Sequence, residues 1–123
     1  MKISELKDAP QWLLDAETSD EDVENIDGVV HWYNGVWHDG KWHDGKWHGG
    51  IWHGGTWHDG TWHDGIWGAG IWHGGTWDDG DWYDGEWCGG TWYDGKWYDG
   101  KWRGGKWIEG YVFEEGKLIY KQG

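Results

Sequence analysis

Residues 41–65 read KWHDGKWHGGIWHGGTWHDGTWHDG and place a tryptophan and a glycine at every fifth position. The same unit continues over residues 31–110 as sixteen repeats, with tryptophans from Trp32 to Trp107 and closing glycines from Gly35 to Gly110. The chain has 123 residues, of which 17 are tryptophan and 25 are glycine. A fixed short period with such biased composition indicates a repeat architecture.

The period of five residues excludes the common regular structures. In an α-helix, five residues rotate successive tryptophans by about 500°, which scatters them around the axis, and each glycine costs about 1 kcal/mol relative to alanine. In a straight strand, an odd spacing sends consecutive tryptophans to opposite faces. Collagen requires glycine at every third position.

The remaining solution bends the chain once in every repeat, so that each tryptophan faces inward again. Asp-Gly and Gly-Gly steps supply the bends, because glycine accepts a positive φ. Other strongly apolar residues are too few between residues 31 and 110 to build a core. The sequence therefore predicts an all-β, single-chain β-solenoid whose core consists of tryptophan.

The number of units in a coil follows from the residue two positions after each tryptophan, which is either acidic or small. Its class recurs after four units in 8 of 12 comparisons and after three units in 8 of 13. We expect a four-sided coil of twenty residues, which gives about four coils, and we keep a three-sided coil as the alternative.

Non-repeating segments flank the solenoid. Residues 1–30 form an acidic N-terminal cap segment, in which residues 9–17 (APQWLLDAE) predict a short helix and TSDEDVEN predicts a solvated connector. Asp27-Gly28 predicts a turn into extended chain. Residues 111–123 predict a C-terminal hairpin cap, with strands at 111–113 and 117–120 and a turn at 114–116.

The unit Gly40-Lys41-Trp42-His43-Asp44 has a small residue and a large residue two positions apart. This pattern resembles the pentapeptide-repeat proteins, which form right-handed four-sided β-helices with those two residues pointing inward. Trp and Gly stand here where that family usually has Leu or Phe and Ala. The chain looks most like the Trp/Gly-rich repeat variants of tailed bacteriophages, and that resemblance implies no established activity.

Charge and composition exclude several function classes. The net charge of −13 argues against direct binding of nucleic acid, which requires a basic face. No apolar run is long enough to span a membrane, and no signal peptide precedes the repeat. The single Cys88 forms no intramolecular disulfide. We expect a cytoplasmic protein, located in the host cytoplasm or the virion if a phage encodes it.

Two sets of side chains have the chemistry of metal ligands. On a twenty-residue coil, the histidines that follow tryptophan stack as His38/His58/Asp78, His43/His63/Tyr83 and His53/His73/Tyr93, and one row of aspartates contains Asp39, Asp59, Asp79 and Asp99. Rows of this kind do not converge on one ion, and Asp-Gly is ordinary turn chemistry. We therefore assign no catalytic, cofactor-binding or metal residues and expect no cofactor.

The residue before each tryptophan predicts cross-strand pairs between successive twenty-residue coils. Asp81 is expected to pair with Lys101, Glu86 with Lys106, and Ile51 with Ile71.

These observations favour a non-enzymatic structural or protein-interaction solenoid. We expect a protein partner or self-association, and a homo-oligomer if an end of the coil is uncapped. The first alternative is a DNA mimic that inhibits a type II topoisomerase or another DNA-binding protein. The second is a repeat that binds carbohydrate or choline on its aromatic rings.

Overall fold

The computed structural model describes all residues, 1–123, and shows an all-β solenoid with a short helical lead-in. A 3-10 turn spans Ile3–Glu5, and helix α1 spans Gln11–Leu14. The long strands are β1 (Glu17–Ile26), β2 (Val29–Asp39), β17 (Glu109–Glu114) and β18 (Lys117–Gln122). Between β2 and β17 lie fourteen two-residue strands, each made of a tryptophan and the residue before it: β3 (Lys41–Trp42), β4 (Lys46–Trp47), β5 (Ile51–Trp52), β6 (Thr56–Trp57), β7 (Thr61–Trp62), β8 (Ile66–Trp67), β9 (Ile71–Trp72), β10 (Thr76–Trp77), β11 (Asp81–Trp82), β12 (Glu86–Trp87), β13 (Thr91–Trp92), β14 (Lys96–Trp97), β15 (Lys101–Trp102) and β16 (Lys106–Trp107).

One coil of the solenoid takes fifteen residues. Parallel pairing joins each short strand to the strand three units later, as in Trp47↔Trp62 and Trp62↔Trp77. The expected twenty-residue, four-unit coil is therefore corrected to three units, and sixteen units give about five coils instead of four. The predicted solenoid with a tryptophan core is confirmed.

Tryptophans of successive coils form three columns. The first column contains Trp32, Trp47, Trp62, Trp77, Trp92 and Trp107; the second contains Trp37, Trp52, Trp67, Trp82 and Trp97, followed by Val112; the third contains Trp42, Trp57, Trp72, Trp87 and Trp102. Within a column, ring centroids lie 4.7–5.1 Å apart with interplanar angles of 4–7°. This spacing matches the ~4.8 Å between neighbouring strands, so the backbone ladder and the ring stack share one repeat.

Between columns, consecutive tryptophans meet edge to face. Their centroids are 5.7–5.9 Å apart, and their planes cross at 67–78°. Since Trp42 contacts Trp37 before it and Trp47 after it, three indoles close a ring around the axis. Edge-to-face contact is favourable for aromatic pairs and fills the section of the coil, which explains why three units suffice.

The glycine that closes each unit is required by the close approach of two coils. Gly70 has φ of +123°, and a Cβ at this position would lie 2.3 Å from the carbonyl oxygen of Gly55 in the preceding coil. Asp-Gly corners are further fixed by the aspartate, whose Oδ1 accepts a hydrogen bond from the next glycine N–H, as in Asp64–Gly65 at 2.8 Å. The predicted role of these steps as corners is confirmed.

The N-terminal segment differs from its prediction in one element. The short helix is present as expected, and so is the turn, in which Asp27 and Gly28 both have positive φ. TSDEDVEN is wrong as a solvated connector, because it forms most of β1, which pairs antiparallel with β2. Val23 of β1 and Val30 of β2 are both buried, so this segment contributes to the core.

The predicted C-terminal hairpin is confirmed. β17 and β18 pair antiparallel around a turn at Glu115-Gly116, where both residues have positive φ. β17 also pairs in parallel with β14, with Trp97 opposite Val112, and so continues the second column. The helical segments contain three and four residues, and neither has the length and apolarity required to cross a bilayer.

Two glycines of neighbouring units test the requirement for close approach. Gly70→Ala is expected to destabilise the fold by at least about 1–3 kcal/mol, because alanine disfavours this φ and its Cβ displaces the Gly55 carbonyl. Gly74→Ala is the matched control, since its Cβ would lie 3.7 Å from the nearest atom and Ala69 already occupies the equivalent position. Urea unfolding followed by tryptophan fluorescence measures both changes. Equal stability of the two variants would contradict this account.

Candidate interaction surfaces

The N-terminal end of the indole core is covered by the lead-in, which is residues 1–30. The ring of Trp12 lies 5.1 Å from the ring of Trp42, at an angle of 65°, and so closes the third column. Leu13 is fully buried beside it, and Ile3 is 7% exposed. The apolar residues of the predicted cap helix therefore pack against the first coil and exclude water from it.

The C-terminal end of the core is only partly covered. Trp102 stacks on Trp87 at 5.0 Å but remains 36% exposed, in contrast to the indoles from Trp32 to Trp92, which are fully buried. A depression of about 270 Å³ is lined by Trp97, Trp102, Trp107 and Val112. The outer edges of β15 and β16 pair with no further strand.

The C-terminal hairpin covers this end on one side. The Trp107 Nε1–H donates to the carbonyl oxygen of Lys121 at 3.0 Å, and the Gly123 N–H donates to the carbonyl oxygen of Ile108 at 2.8 Å. β18 thus secures Trp107 and leaves Trp102 uncovered. The two ends of the solenoid therefore differ in how much of the core they expose.

Charge is also unequal along the solenoid. Residues 1–30 carry nine acidic residues and two lysines, which gives a formal charge of −7. The last coil presents Lys101, Arg103 and Lys106, of which only Arg103 pairs with a carboxylate, Glu86, at 3.0 Å. The covered end is acidic, whereas residues 96–123 at the open end carry six basic and four acidic residues, which gives a formal charge of +2.

The histidine rows stack at fifteen residues, not at the expected twenty. His43, His58 and His73 form one row, with centroids 4.9 and 5.2 Å apart, and Cys88 takes the next position in that row. His53 stacks on His38 at 5.5 Å.

A third row begins with Tyr33, which stacks on His48 at 5.0 Å. His31, in the neighbouring row, places its Nδ1 3.0 Å from Nε2 of His48. His63 stacks on His48 at 5.0 Å, and its Nδ1 lies 2.8 Å from a carboxylate oxygen of Asp78. Nowhere do three histidine, cysteine, aspartate or glutamate side chains converge to hold a metal ion.

The acidic rows also follow the shorter coil. Asp39, Asp84 and Asp99 share a row with Gly54 and Ala69, so the expected row of Asp39, Asp59, Asp79 and Asp99 is wrong. In Asp39, Asp84 and Asp99, Oδ1 accepts a hydrogen bond from the following glycine N–H at 2.8 Å. These carboxylates stabilise corners.

The expected pairs before tryptophan are corrected in the same way. Asp81 lies between Ile66 and Lys96, and Glu86 lies between Ile71 and Lys101. Ile51 pairs with Ile66 instead of Ile71. The opposite charges of Asp81 and Lys96, and of Glu86 and Lys101, favour this register.

Tyrosines form an exposed row on the wall of the second column. Tyr98 stacks on Tyr83 at 4.7 Å and 6°, and Phe113 follows at 5.7 Å. Tyr83 and Tyr98 cover one face of each other, while the other face of Tyr83 lies next to Gly68, and Tyr83 is 43% exposed. Sugar rings and quaternary ammonium groups bind aromatic faces, so in this row the uncovered face of Tyr83 is the one that either could reach.

Sequence reasoning missed one polar pair. The hydroxyl oxygen of Ser19 lies 2.9 Å from His38 Nε2, and both side chains are exposed. The antiparallel register of β1 and β2 brings them together, and no local pattern in the sequence indicates that register. The pair holds β1 against the first coil.

A depression of about 690 Å³ lies between the lead-in and the wall of the early coils. Its polar lining includes Lys7, Asp8, Asn25, Asp44 and Lys46. This mixture of both charges defines no single class of ligand.

Comparison of the chain with protein-family models, with curated proteins and with solved structures gives no match.

Acidification is expected to destabilise the solenoid through its histidine rows. Burial lowers the pKa of His48, and neighbouring His63, His31 and Lys46 lower it further. Burial likewise lowers the pKa of His58, together with the charges of His43, His73 and Lys41. Below the unfolded value of about 6.5, the unfolded chain binds more protons than the folded one, so stability present at higher pH is lost as the pH falls through the folded pKa.

Urea unfolding at about pH 7.5 and 5.5 measures this loss, in a range above the ordinary titration of carboxylates. The double variant His48→Gln/His58→Gln should lose less stability between the two pH values than the unaltered chain, while both fold at pH 7.5. An unchanged pH dependence in the variant would show that other groups cause the loss.

Proposed function

We propose that this chain is a non-enzymatic structural and protein-interaction module, a short rigid rod that holds partners at a fixed separation. The observation that carries the proposal is the set of three columns of stacked indoles, which run through every coil of the repeat. Each coil is tied to the next by parallel strand pairs and by ring stacking at the same spacing. Bending such a rod requires both to be disrupted.

The two ends of the rod differ in accessibility, and this difference indicates where a partner would bind. The lead-in seals one end, whereas Trp102 and the basic side chains around it are accessible at the other. Exposed tryptophan with arginine nearby, as in Trp102 and Arg103, is typical of surfaces that bind other proteins. The open end is therefore the favoured docking surface.

The period of five residues with tryptophan inside supports a relation to the pentapeptide-repeat proteins and to the Trp/Gly-rich variants of tailed bacteriophages. The three-unit coil departs from the four-sided coil of that family. If a phage encodes the chain, the rod acts in the host cytoplasm or as part of the virion.

The DNA-mimic alternative is favoured by the acidic charge and the rod shape. In one corner row, Asp64, Asp79 and Asp94 follow one another at the coil spacing. Their Oδ1 atoms accept hydrogen bonds from the following glycines at 2.8 Å, which commits one oxygen of each to the corner. The basic last coil also departs from the uniform negative charge that a mimic of DNA requires.

The ligand-binding alternative requires accessible aromatic faces. The repeat tryptophans from Trp32 to Trp92 are fully buried, and Trp102 is the repeat indole with the largest exposed fraction. Lys101 and Lys106 beside it disfavour a cationic ligand such as choline. Quenching of tryptophan fluorescence by choline or an oligosaccharide would support this alternative.

Rigidity is tested by spin-label distances between the ends of one wall. In a Cys88→Ser background, labels at Lys41→Cys and Lys101→Cys lie four coils apart, and we expect a narrow distribution with a backbone separation of ~19 Å. Lys46→Cys and Lys106→Cys form the matched pair in the first column, also four coils apart. Broad or unequal distributions for the two pairs would refute a rigid rod.

The DNA-mimic alternative is tested by gyrase supercoiling. We expect no inhibition at about micromolar protein, because the last coil is basic and the corner carboxylates are engaged. Inhibition that Asp79→Asn weakens and Lys46→Gln does not would instead establish mimicry.

A further inference from the structure

The two ends of the rod are complementary, and we propose that the open C-terminal end docks the N-terminal lead-in of a second copy, head to tail. This inference rests on the proposed function of the chain as a rod and identifies the partner of its open end. Three properties of the ends carry it: their apolar side chains, their charges and the direction of their main-chain hydrogen bonds.

Apolar side chains are exposed at both ends. At the open end, Trp102 presents an uncovered ring face beside Trp107 and Val112. At the other end, helix α1 buries Leu13 and half-buries Trp12 against the first coil, while the next residue, Leu14, is 48% exposed. Contact between these ends removes both apolar surfaces from water.

Opposite charges surround the two apolar surfaces. The lead-in has a formal charge of −7, with Asp15 and Glu17 exposed directly after Leu14. At the open end, Lys101 and Lys106 are exposed in the last coil. Lys101 lies opposite Glu86, whose carboxylate is bound by Arg103, and Lys106 lies opposite the uncharged Thr91. Head-to-tail docking brings these opposite charges together, whereas contact between two open ends would place lysines against lysines.

The direction of the main-chain hydrogen bonds also argues against a contact between two open ends. In every coil, N–H groups donate back to the preceding coil, as Lys101 N–H does to Gly85 and Arg103 N–H to Trp87, both at 2.8–2.9 Å. The outer edge of the last coil therefore presents carbonyl oxygens. Two such edges cannot hydrogen-bond to each other, so a dimer of open ends leaves both unsatisfied.

The small area of the ends sets the strength of the association. A coil of fifteen residues, five to a side at ~3.3 Å each, is ~16 Å across, so an end-to-end contact buries well below the ~1,200 Å² of a stable interface. We expect weak, concentration-dependent association. A head-to-tail contact leaves one free end of each kind, so assemblies grow lengthwise beyond the dimer.

Sedimentation equilibrium of the full chain between about 10 µM and 1 mM, at low salt, tests the proposal. The weight-average mass should rise continuously above 14.4 kDa and pass the mass of a dimer. In about 1 M salt, where the Debye length is ~3 Å, the rise should be largely lost. A monomer at all concentrations, or a plateau at the dimer, would overturn the proposal.

Matched charge reversals locate the contact. Lys101→Glu/Lys106→Glu alters the open end, and Lys41→Glu/Lys46→Glu makes the same charge change in the same two columns near the covered end. The first variant should lower the association constant at least tenfold, and the second should leave it unchanged or raise it. If both variants lowered the association constant equally, the change in net charge would be the cause, and a specific contact at the open end would be refuted.

A charge swap completes the test. Asp15→Lys/Glu17→Lys should weaken association when studied alone, and mixing it with Lys101→Glu/Lys106→Glu should restore assembly. No recovery on mixing would contradict the pairing of these two surfaces. If spin-label distances are narrow but the chain stays monomeric, the head-to-tail contact fails while the rod remains; broad distances refute the rod itself.

Discussion

Stacking of indole on indole at the spacing of β-strands is the interaction on which the structure depends. Neighbouring strands are separated by ~4.8 Å, and indoles in a column lie 4.7–5.1 Å apart, so hydrogen bonding and ring packing reinforce each other at every coil. A strand of two residues is too short to be stable alone. Here each short strand is held by the burial of one large ring, which explains why tryptophan recurs in all sixteen units.

The uniform core has two consequences for the rest of the chain. Close approach of the coils requires glycine at the corners, where a Cβ at Gly70 would meet the Gly55 carbonyl. The indole N–H groups point at the next coil, but only some bind there: Trp57 Nε1–H donates to the Gly74 carbonyl at 3.2 Å, and Trp72 Nε1–H donates to the Gly89 carbonyl at 3.1 Å. Ten other buried indole N–H groups have no partner, among them those of Trp62 and Trp67. Stacking and burial must offset this cost.

Because the repeat is nearly identical along its length, the features that distinguish one part of the rod from another lie mainly at its two ends. Trp12 and Leu13 close the first coil, while the C-terminal hairpin extends the wall of the second column and leaves Trp102 exposed. Acidic residues gather at the closed end and basic residues at the open one. A rod with unlike ends has a direction, and that direction underlies both the proposed spacer function and the proposed head-to-tail contact.

The sequence by itself determined the solenoid, the inward tryptophans, the Asp-Gly corners, α1 and the hairpin, because each depends on local spacing or on residues a few positions apart. It did not determine the length of the coil: every unit carries the same tryptophan, so registers of fifteen and twenty residues bury the same residue types. The tertiary structure decided that length through the closed edge-to-face ring of three indoles, and with it every row of histidine, aspartate and lysine on the walls. Only the tertiary structure showed that TSDEDVEN forms β1 and that Trp102 lies uncovered, since both depend on contacts between residues distant in the sequence.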